Sequence, residues 1–204
     1  MFKRVFDFVI AAALLALLSP IALLVTAAII LTMGRPALFR QARAGYKAEP
    51  FSLLKFRTMT DARDEDGNLL PSAQRLTALG RLLRKTSLDE LPQLVNVLKG
   101  DLSMVGPRPL YVRYTDYYTE EERRRHDVKP GVTGLVQVSG RSAPSWEERL
   151  RMDVRYVDNR SMLLDLRILL LTPWKIVTCA DITPKNAEIM ERLDKIRQPR
   201  QRAA

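Results

Sequence analysis

Asp89 and Glu90 stand side by side in Arg84-Lys85-Thr86-Ser87-Leu88-Asp89-Glu90-Leu91-Pro92-Gln93-Leu94, directly behind a pair of cations. A little further on, Gly106-Pro107-Arg108-Pro109 holds a guanidinium between two prolines. Adjacent carboxylates among fixed cations suit chemistry at phosphorus: a carboxylate attacks or binds metal while the cations neutralise phosphoryl oxygens. The prolines restrict the backbone around Arg108, which limits the entropy lost when its side chain grips an oxyanion. Ser87, three residues before Glu90, fits a capping box, whereas Pro92 suits the first turn of a helix starting at Asp89. Either start puts both carboxylates at a helix N-terminus. Exposed N–H groups and the dipole there depress carboxylate pKa values and favour a phosphate or a metal–phosphate pair. Capping alone also explains a Ser-x-x-Glu; Arg84, Lys85 and Arg108 are what point beyond it.

Two further places offer cations. Strand alternation puts Lys55 and Arg57 on one face, and Arg141 follows Gly140 at a turn, where it can reach a ligand. A solvated strand face and an exposed turn describe the same residues equally well.

The elements that must hold these groups begin with an anchor. Residues 8–33 are apolar and uncharged, long enough to cross a bilayer, and the run continues past Ser19-Pro20 without a cleavage site. Both flanks are basic, Lys3 and Arg4 before it and Arg35, Arg40 and Arg43 after it, so the positive-inside rule gives no orientation. Pro20 removes a helical hydrogen bond near the middle, and Ser19 can bond the carbonyl left without a partner. A kinked spanning helix and a helix that enters and leaves by one face both satisfy these residues.

After Gly34-Arg35-Pro36, the runs 51–54 and 55–59 read as strands around an Ala48-Glu49-Pro50 break, and residues 61–71 as an acidic loop. Residues 72–85 read as one basic amphipathic helix, and a helix from Asp89 to about Lys99 ends at Gly100. A charged, tyrosine-rich helix over 111–125 follows, with the Glu120–Glu122 and Arg123–Arg125 runs solvated. Next come a turn at 129–134, a strand at 135–138 and a helix over 144–159. The apolar 161–180 stretch, interrupted by Asp165, Arg167, Pro173, Trp174 and Lys175, reads as an interfacial helix, and 185–197 as a solvated helix with a frayed end. The fold class is mainly α with a small β component. The segments are a membrane helix at 1–34, a catalytic domain at 35–184 and a basic tail at 185–204.

The totals narrow the function. Among 204 residues, 33 Lys and Arg oppose 23 Asp and Glu, a formal charge of +10 that suits nucleic acid, anionic lipid or phosphorylated substrates. One cysteine, Cys179, excludes an internal disulfide and a cysteine metal cluster, and one histidine, His126, excludes a His-rich zinc site. A phosphate-binding Walker loop, a dinucleotide-binding glycine motif and a nucleophile elbow are all missing from the sequence.

Together, Lys3-Arg4 with Asp7, Ser19-Pro20, residues 87–94, Gly106-Pro107-Arg108-Pro109, Pro130-Gly131-Val132-Thr133-Gly134 and Gly140-Arg141 resemble the bacterial sugar transferase family, the monotopic phosphoglycosyl transferases. The likeness covers nearly the whole chain in order, and the length is similar to that of the small, PglC-like members. Lys129 departs from the arginine common before Pro-Gly, and the last twenty or so residues match no motif. The resemblance implies a monotopic protein whose re-entrant helix breaks at Ser19-Pro20, on the cytosolic face of the bacterial inner membrane. It implies transfer of a phosphosugar from a UDP-sugar to polyprenyl (undecaprenyl) phosphate with Mg2+, beginning glycoconjugate synthesis. Asp89 becomes the nucleophile and Glu90 its partner in metal binding or proton handling. Arg84, Arg108 and Arg141, with Lys55 and Arg57, become the phosphate-binding cations. The N-acetylated hexoses are the sugars suggested by the small members. Membrane lipids are the expected surroundings, nucleic acid is not an expected partner, and self-association stays open. The rival reading is a membrane-tethered scaffold or binding protein whose basic faces hold anionic lipid.

Overall fold

The computed structural model describes residues 2–139, 145–178 and 192–198. Gly140, Arg141, Cys179 and most of the segment after 184 lie outside them. Helices dominate: α1 (Phe2–Met33), α2 (Ser72–Arg75), α3 (Ala78–Lys85), α4 (Gln93–Lys99), α5 (Glu120–Arg123), α6 (Leu135–Val138), α7 (Trp146–Asn159) and α8 (Met162–Thr178). Strands β1 (Leu38–Ala44) and β2 (Pro50–Phe56) form an antiparallel hairpin, with Leu38 opposite Phe56 and Ala44 opposite Pro50. Strands β3 (Ser103–Val105) and β4 (Gly131–Thr133) pair in parallel. The mainly α architecture with a small β component follows the sequence reading.

The apolar N-terminal run forms α1, and the globular body holds it at two places. In its first half Ala11 is buried with Leu94, Val97, Leu102 and Ile168; in its second half Val25 and Ile29 pack with Phe56 and Leu83. Between these contacts Leu17, Leu23 and Leu24 are 73%, 70% and 71% exposed. Polar bonds fix both ends. Arg4 donates to the last carbonyls of α4, those of Val97 and Leu98, satisfying groups that a helix C-terminus leaves open. Lys3 bridges Asp7 at 2.9 Å and Asp165 at 2.7 Å. At the far end Arg57 donates to the Met33 carbonyl at 3.3 Å. Helical structure runs through Ser19 and Pro20 without a break, so the pair does not divide α1 into two elements. Pro20 has no N–H for the Ala16 carbonyl, and the Ser19 hydroxyl donates to that carbonyl at 2.8 Å, as the sequence suggests.

Several expected elements are cut differently. The runs predicted as two strands form one strand, β2, and the Ala48-Glu49-Pro50 break is the turn joining it to β1. The predicted 72–85 helix is split: Leu76 is extended and bridges Met59, and Thr77 caps a new helix, α3, by accepting from Gly80 N at 2.9 Å. The 111–125 stretch is not one helix. A 3-10 segment over Val112–Tyr117 gives way to α5, which Thr119 and Glu122 start with a capping box. Arg125, read as solvated, is buried against Asp153 at 2.8 Å. The strand expected at 135–138 is helical, because the residues pairing with β3 are Gly131–Thr133. Beyond it, Ser145 and Glu148 cap α7, Gly100 at φ 94 closes α4, and α8 covers the predicted interfacial stretch. In the tail, Leu193 is fully buried with Tyr114, Trp146 and Leu150, and Arg197 bonds Glu122 and Glu147. That part of the expected solvated helix is docked; residues 185–191 fall outside the described residues.

Candidate active site

Asp89 and Glu90 occupy a 3-10 turn, Leu88–Glu90, that joins α3 to α4. Ser87 enters the turn in the left-handed region at φ 57 and makes no capping bond; Pro92 is the N-cap of α4. Neither predicted helix start is right. Pro92 supplies no N–H at the point where the helical ladder would otherwise extend backwards, so the carboxylates precede the helix.

Lys55 comes to them from β2. Asn96 sets this register: its Oδ1 accepts from Leu54 N at 3.0 Å, and its Nδ2 donates to the Ser52 carbonyl at 2.8 Å, tying β2 to α4. Lys55 Nζ lies 2.5 Å from Glu90 Oε1 and 3.6 Å from Asp89 Oδ2, and Arg108 Nη2 donates to the same Glu90 oxygen at 2.7 Å. The two carboxylates therefore meet different conditions. Burial works to raise the Glu90 pKa, but Arg108 and Lys55 outweigh it and bring it to about 2. Asp89, 8% exposed, is shifted up: burial raises its pKa, Lys55 offsets part of that, and the Glu90 charge raises it further. The expectation of two depressed carboxylates holds for Glu90, through its cations, and is reversed at Asp89.

Arg84, at the end of α3, donates from Nε to Thr58 Oγ1 at 3.1 Å, and its charge lowers the Asp89 pKa, so it belongs to this cluster. Arg57 does not. Strand β2 ends at Phe56, the alternation stops there, and Arg57 turns to Asp61 at 2.6 Å and to the Met33 and Met59 carbonyls. Arg141 lies outside the described residues. Ser19 and Pro20 are on the exposed part of α1, apart from the carboxylates.

The sequence reading missed the support behind Arg108. Buried Arg125 donates from Nη2 to the Arg108 carbonyl at 2.7 Å while Asp153 holds the same guanidinium. Nothing in the Arg123–Arg125 run distinguishes its third member. Asn96 did leave a signal: an amide between Val95 and Val97, in the otherwise apolar stretch from Leu94 to Leu98, has to find partners if it faces the core.

Paired carboxylates whose pKa values are pushed in opposite directions, ringed by Lys55, Arg84 and Arg108, fit transfer at phosphorus. Residues 1–179 match the profile of the bacterial sugar transferase family. The chain belongs to that family. This sugar transferase is 54% identical over 190 residues to "Uncharacterized sugar transferase EpsL" of Bacillus subtilis (strain 168), covering 93% of the chain and 94% of the relative. It is 44% identical over 188 residues to the UDP-glucose:undecaprenyl-phosphate glucose-1-phosphate transferase of Caulobacter vibrioides, covering 86% of the chain and 70% of that protein. The Escherichia coli (strain K12) protein of the same name is 38% identical over 184 residues, which are 85% of the chain but only 39% of that longer relative.

The transferase's carboxylates also bear on metal binding. No cluster of three or more His, Cys, Asp or Glu suited to a metal is found among the described residues. Mg2+ does not need one: it is commonly held by one or two carboxylates, with water and substrate phosphates completing the octahedron. Asp89 accepts no hydrogen bond from the described residues, and the cations on Glu90 converge on Oε1, leaving Oε2. The donor set fits a metal that arrives with a diphosphate.

Proposed function

We propose that this sugar transferase moves a sugar phosphate from a UDP-sugar to undecaprenyl phosphate through a covalent bond between Asp89 and phosphorus. The observation carrying this reading is the contrast between the carboxylates. Glu90 is ionised and engaged by Lys55 and Arg108, whereas Asp89 is buried, without a hydrogen bond from the described residues, and more basic than an ordinary aspartate. A desolvated, more basic carboxylate is the better nucleophile once ionised.

One Asp89 oxygen bonds to the phosphorus bearing the sugar. The bond from that phosphorus to the bridging diphosphate oxygen breaks, and its electron pair leaves with UMP. An oxygen of the acceptor phosphate then attacks the same phosphorus, the bond to Asp89 breaks, and the carboxylate is restored. Lys55, Arg84 and Arg108 offset the repulsion between anionic nucleophile and anionic diphosphate. Mg2+, held by Asp89 and Glu90, would neutralise phosphoryl oxygens and the departing monophosphate.

The acceptor is a lipid; this reading puts the protein at the cytosolic face of the inner membrane, and the fold supports attachment by one face. Both ends of α1 are bonded to one globular body, while Leu17, Leu23 and Leu24 project between them. Such a helix enters and leaves by the same leaflet, with Ser19-Pro20 near its deepest point. Leu163, Leu170 and Trp174, 79%, 78% and 66% exposed, give α8 an apolar outer stripe at the interface.

Product analysis is the test. Purified protein is supplied with undecaprenyl phosphate, Mg2+ and either UDP-glucose, the donor named for two relatives, or a UDP-N-acetylhexose. UMP release is expected, and mass spectrometry after quenching with donor alone should find the Asp89 peptide carrying the sugar phosphate. UDP release, or turnover that survives Asp89→Asn, overturns the reading.

A further inference from the structure

A groove of about 580 Å³ lies where α6, α7 and α8 meet, and none of the described residues lining it is a carboxylate. Its walls follow from helical periodicity. On α7, Met152, Arg155 and Asn159 share one side at i, i+3, i+7; on α8, Leu164, Arg167, Ile168 and Leu171 follow the i, i+3, i+4, i+7 spacing that keeps one face of a helix. Val138 of α6 and Ile168, 8% and 1% exposed, make an apolar floor. Arg155 is four residues before the end of α7 and Arg167 five after the start of α8, so each stands about one turn from the corner joining the helices. Neither guanidinium has a hydrogen bond or ion pair with another described residue, although both arginines are exposed enough to turn.

We propose that this groove is a binding site for an anionic phospholipid of the surrounding bilayer, its phosphate between Arg155 and Arg167 and part of an acyl chain on Val138, Leu164, Ile168 and Leu171. Charge and shape set the choice. Two guanidiniums without a partner among the described residues, over an apolar floor and with no carboxylate in the described lining, complement an amphiphile that is anionic at one end. The groove also adjoins the exposed stripe of Leu163, Leu170 and Trp174 on the same helix, the stripe placed at the interface above, and the site rests on that placement for its supply of lipid. The acceptor's own phosphate does not suit the groove, because that phosphate has to reach Asp89 and no lining residue belongs to the Lys55, Arg84, Asp89, Glu90 and Arg108 cluster.

Binding is measured on the full chain in neutral detergent, by native mass spectrometry and by thermal shift, during titration with phosphatidylglycerol or with phosphatidylcholine of the same chains. The wild-type protein is expected to favour phosphatidylglycerol by roughly thirtyfold, five- to sixfold for each guanidinium. R155Q/R167Q should lose that preference, and R151Q/R160Q, which removes the same charge from exposed neighbours outside the groove, should keep it. An equal loss in both double variants means diffuse attraction and overturns the site. So does equal binding of the two lipids by the wild-type protein, or displacement of phosphatidylglycerol by stoichiometric undecaprenyl phosphate, which makes the groove an acceptor site. An unchanged melting temperature without lipid shows that R155Q/R167Q is folded. No sugar donor is present, so failure here leaves the transferase reading intact, and failure of that reading leaves this binding measurable.

Discussion

Asp89 and Glu90 are neighbours in sequence with the same functional group, and Lys55 and Arg108 separate their behaviour by converging on one of them. Replacing Asp89 with Asn keeps size and removes the proposed nucleophile, so transfer should fall roughly a thousandfold or more, with no sugar phosphate on the peptide. Lys55 gives a sharper test. A protonated Asp89 cannot attack phosphorus, so kcat/KM falls as pH drops through its pKa, and Lys55 is the foremost charge holding that pKa down against burial. Lys55→Met should therefore move the acid limb of the pH profile to higher pH; an unmoved limb would show that another group sets it. Most of the clustered residues were legible because contiguous motifs carry Asp89, Glu90, Arg84 and Arg108. Arg57 was misread because alternation was extended one residue past the end of β2, where the side chain no longer follows the sheet.

The elements were less legible than the residues, since short polar helices are decided by local bonds that periodicity does not report. The division of 72–85 is an example: Thr77 offers a cap, Leu76 a bridge to Met59, and Gly80 lets α3 lie directly on the chain at Thr58. A Cβ at Gly80 would stand 1.9 Å from the Thr58 carbonyl oxygen, so Gly80→Ala has to push α3 away from the residue that receives Arg84. A loss of about 1–3 kcal/mol in unfolding free energy, with lower kcat, is expected from denaturant titration and initial rates. His126 makes the packing of the hairpin turn pH-dependent. Its Nδ1–H donates to the Gly45 carbonyl at 3.0 Å; burial, and then the charge of Arg125, lower its pKa from 6.5 to about 4. An unfolded chain takes up a proton near pH 6.5 and the folded one only near 4. Stability is thus complete above that range and declines by roughly 3 kcal/mol as pH falls through it. His126→Asn, which keeps an N–H for Gly45 and does not titrate, should flatten the fall in melting temperature between pH 6.5 and 4.

At the scale of the whole molecule, composition left the path of the N-terminal helix open, because both of its flanks are basic and its length suits a complete span. Contacts distant in sequence narrow the choice, and periodicity could not supply them: Arg4 with Val97 and Leu98, and Arg57 with Met33. A body anchored to both ends of α1 cannot lie on two sides of a bilayer unless part of it crosses too, and α1 is the one helix among the described residues long and apolar enough to do so. A membrane-impermeant maleimide tests this with Phe2→Cys and Arg35→Cys, both at exposed positions flanking the apolar run, in a Cys179→Ser background. Both sites should react in inverted vesicles and neither in intact spheroplasts. Reaction from opposite sides would mean that α1 spans, and one of its two sets of contacts would have to be given up. The same-side result would keep both sets and would leave the carboxylate cluster at the surface where a lipid phosphate and a water-soluble nucleotide sugar can meet.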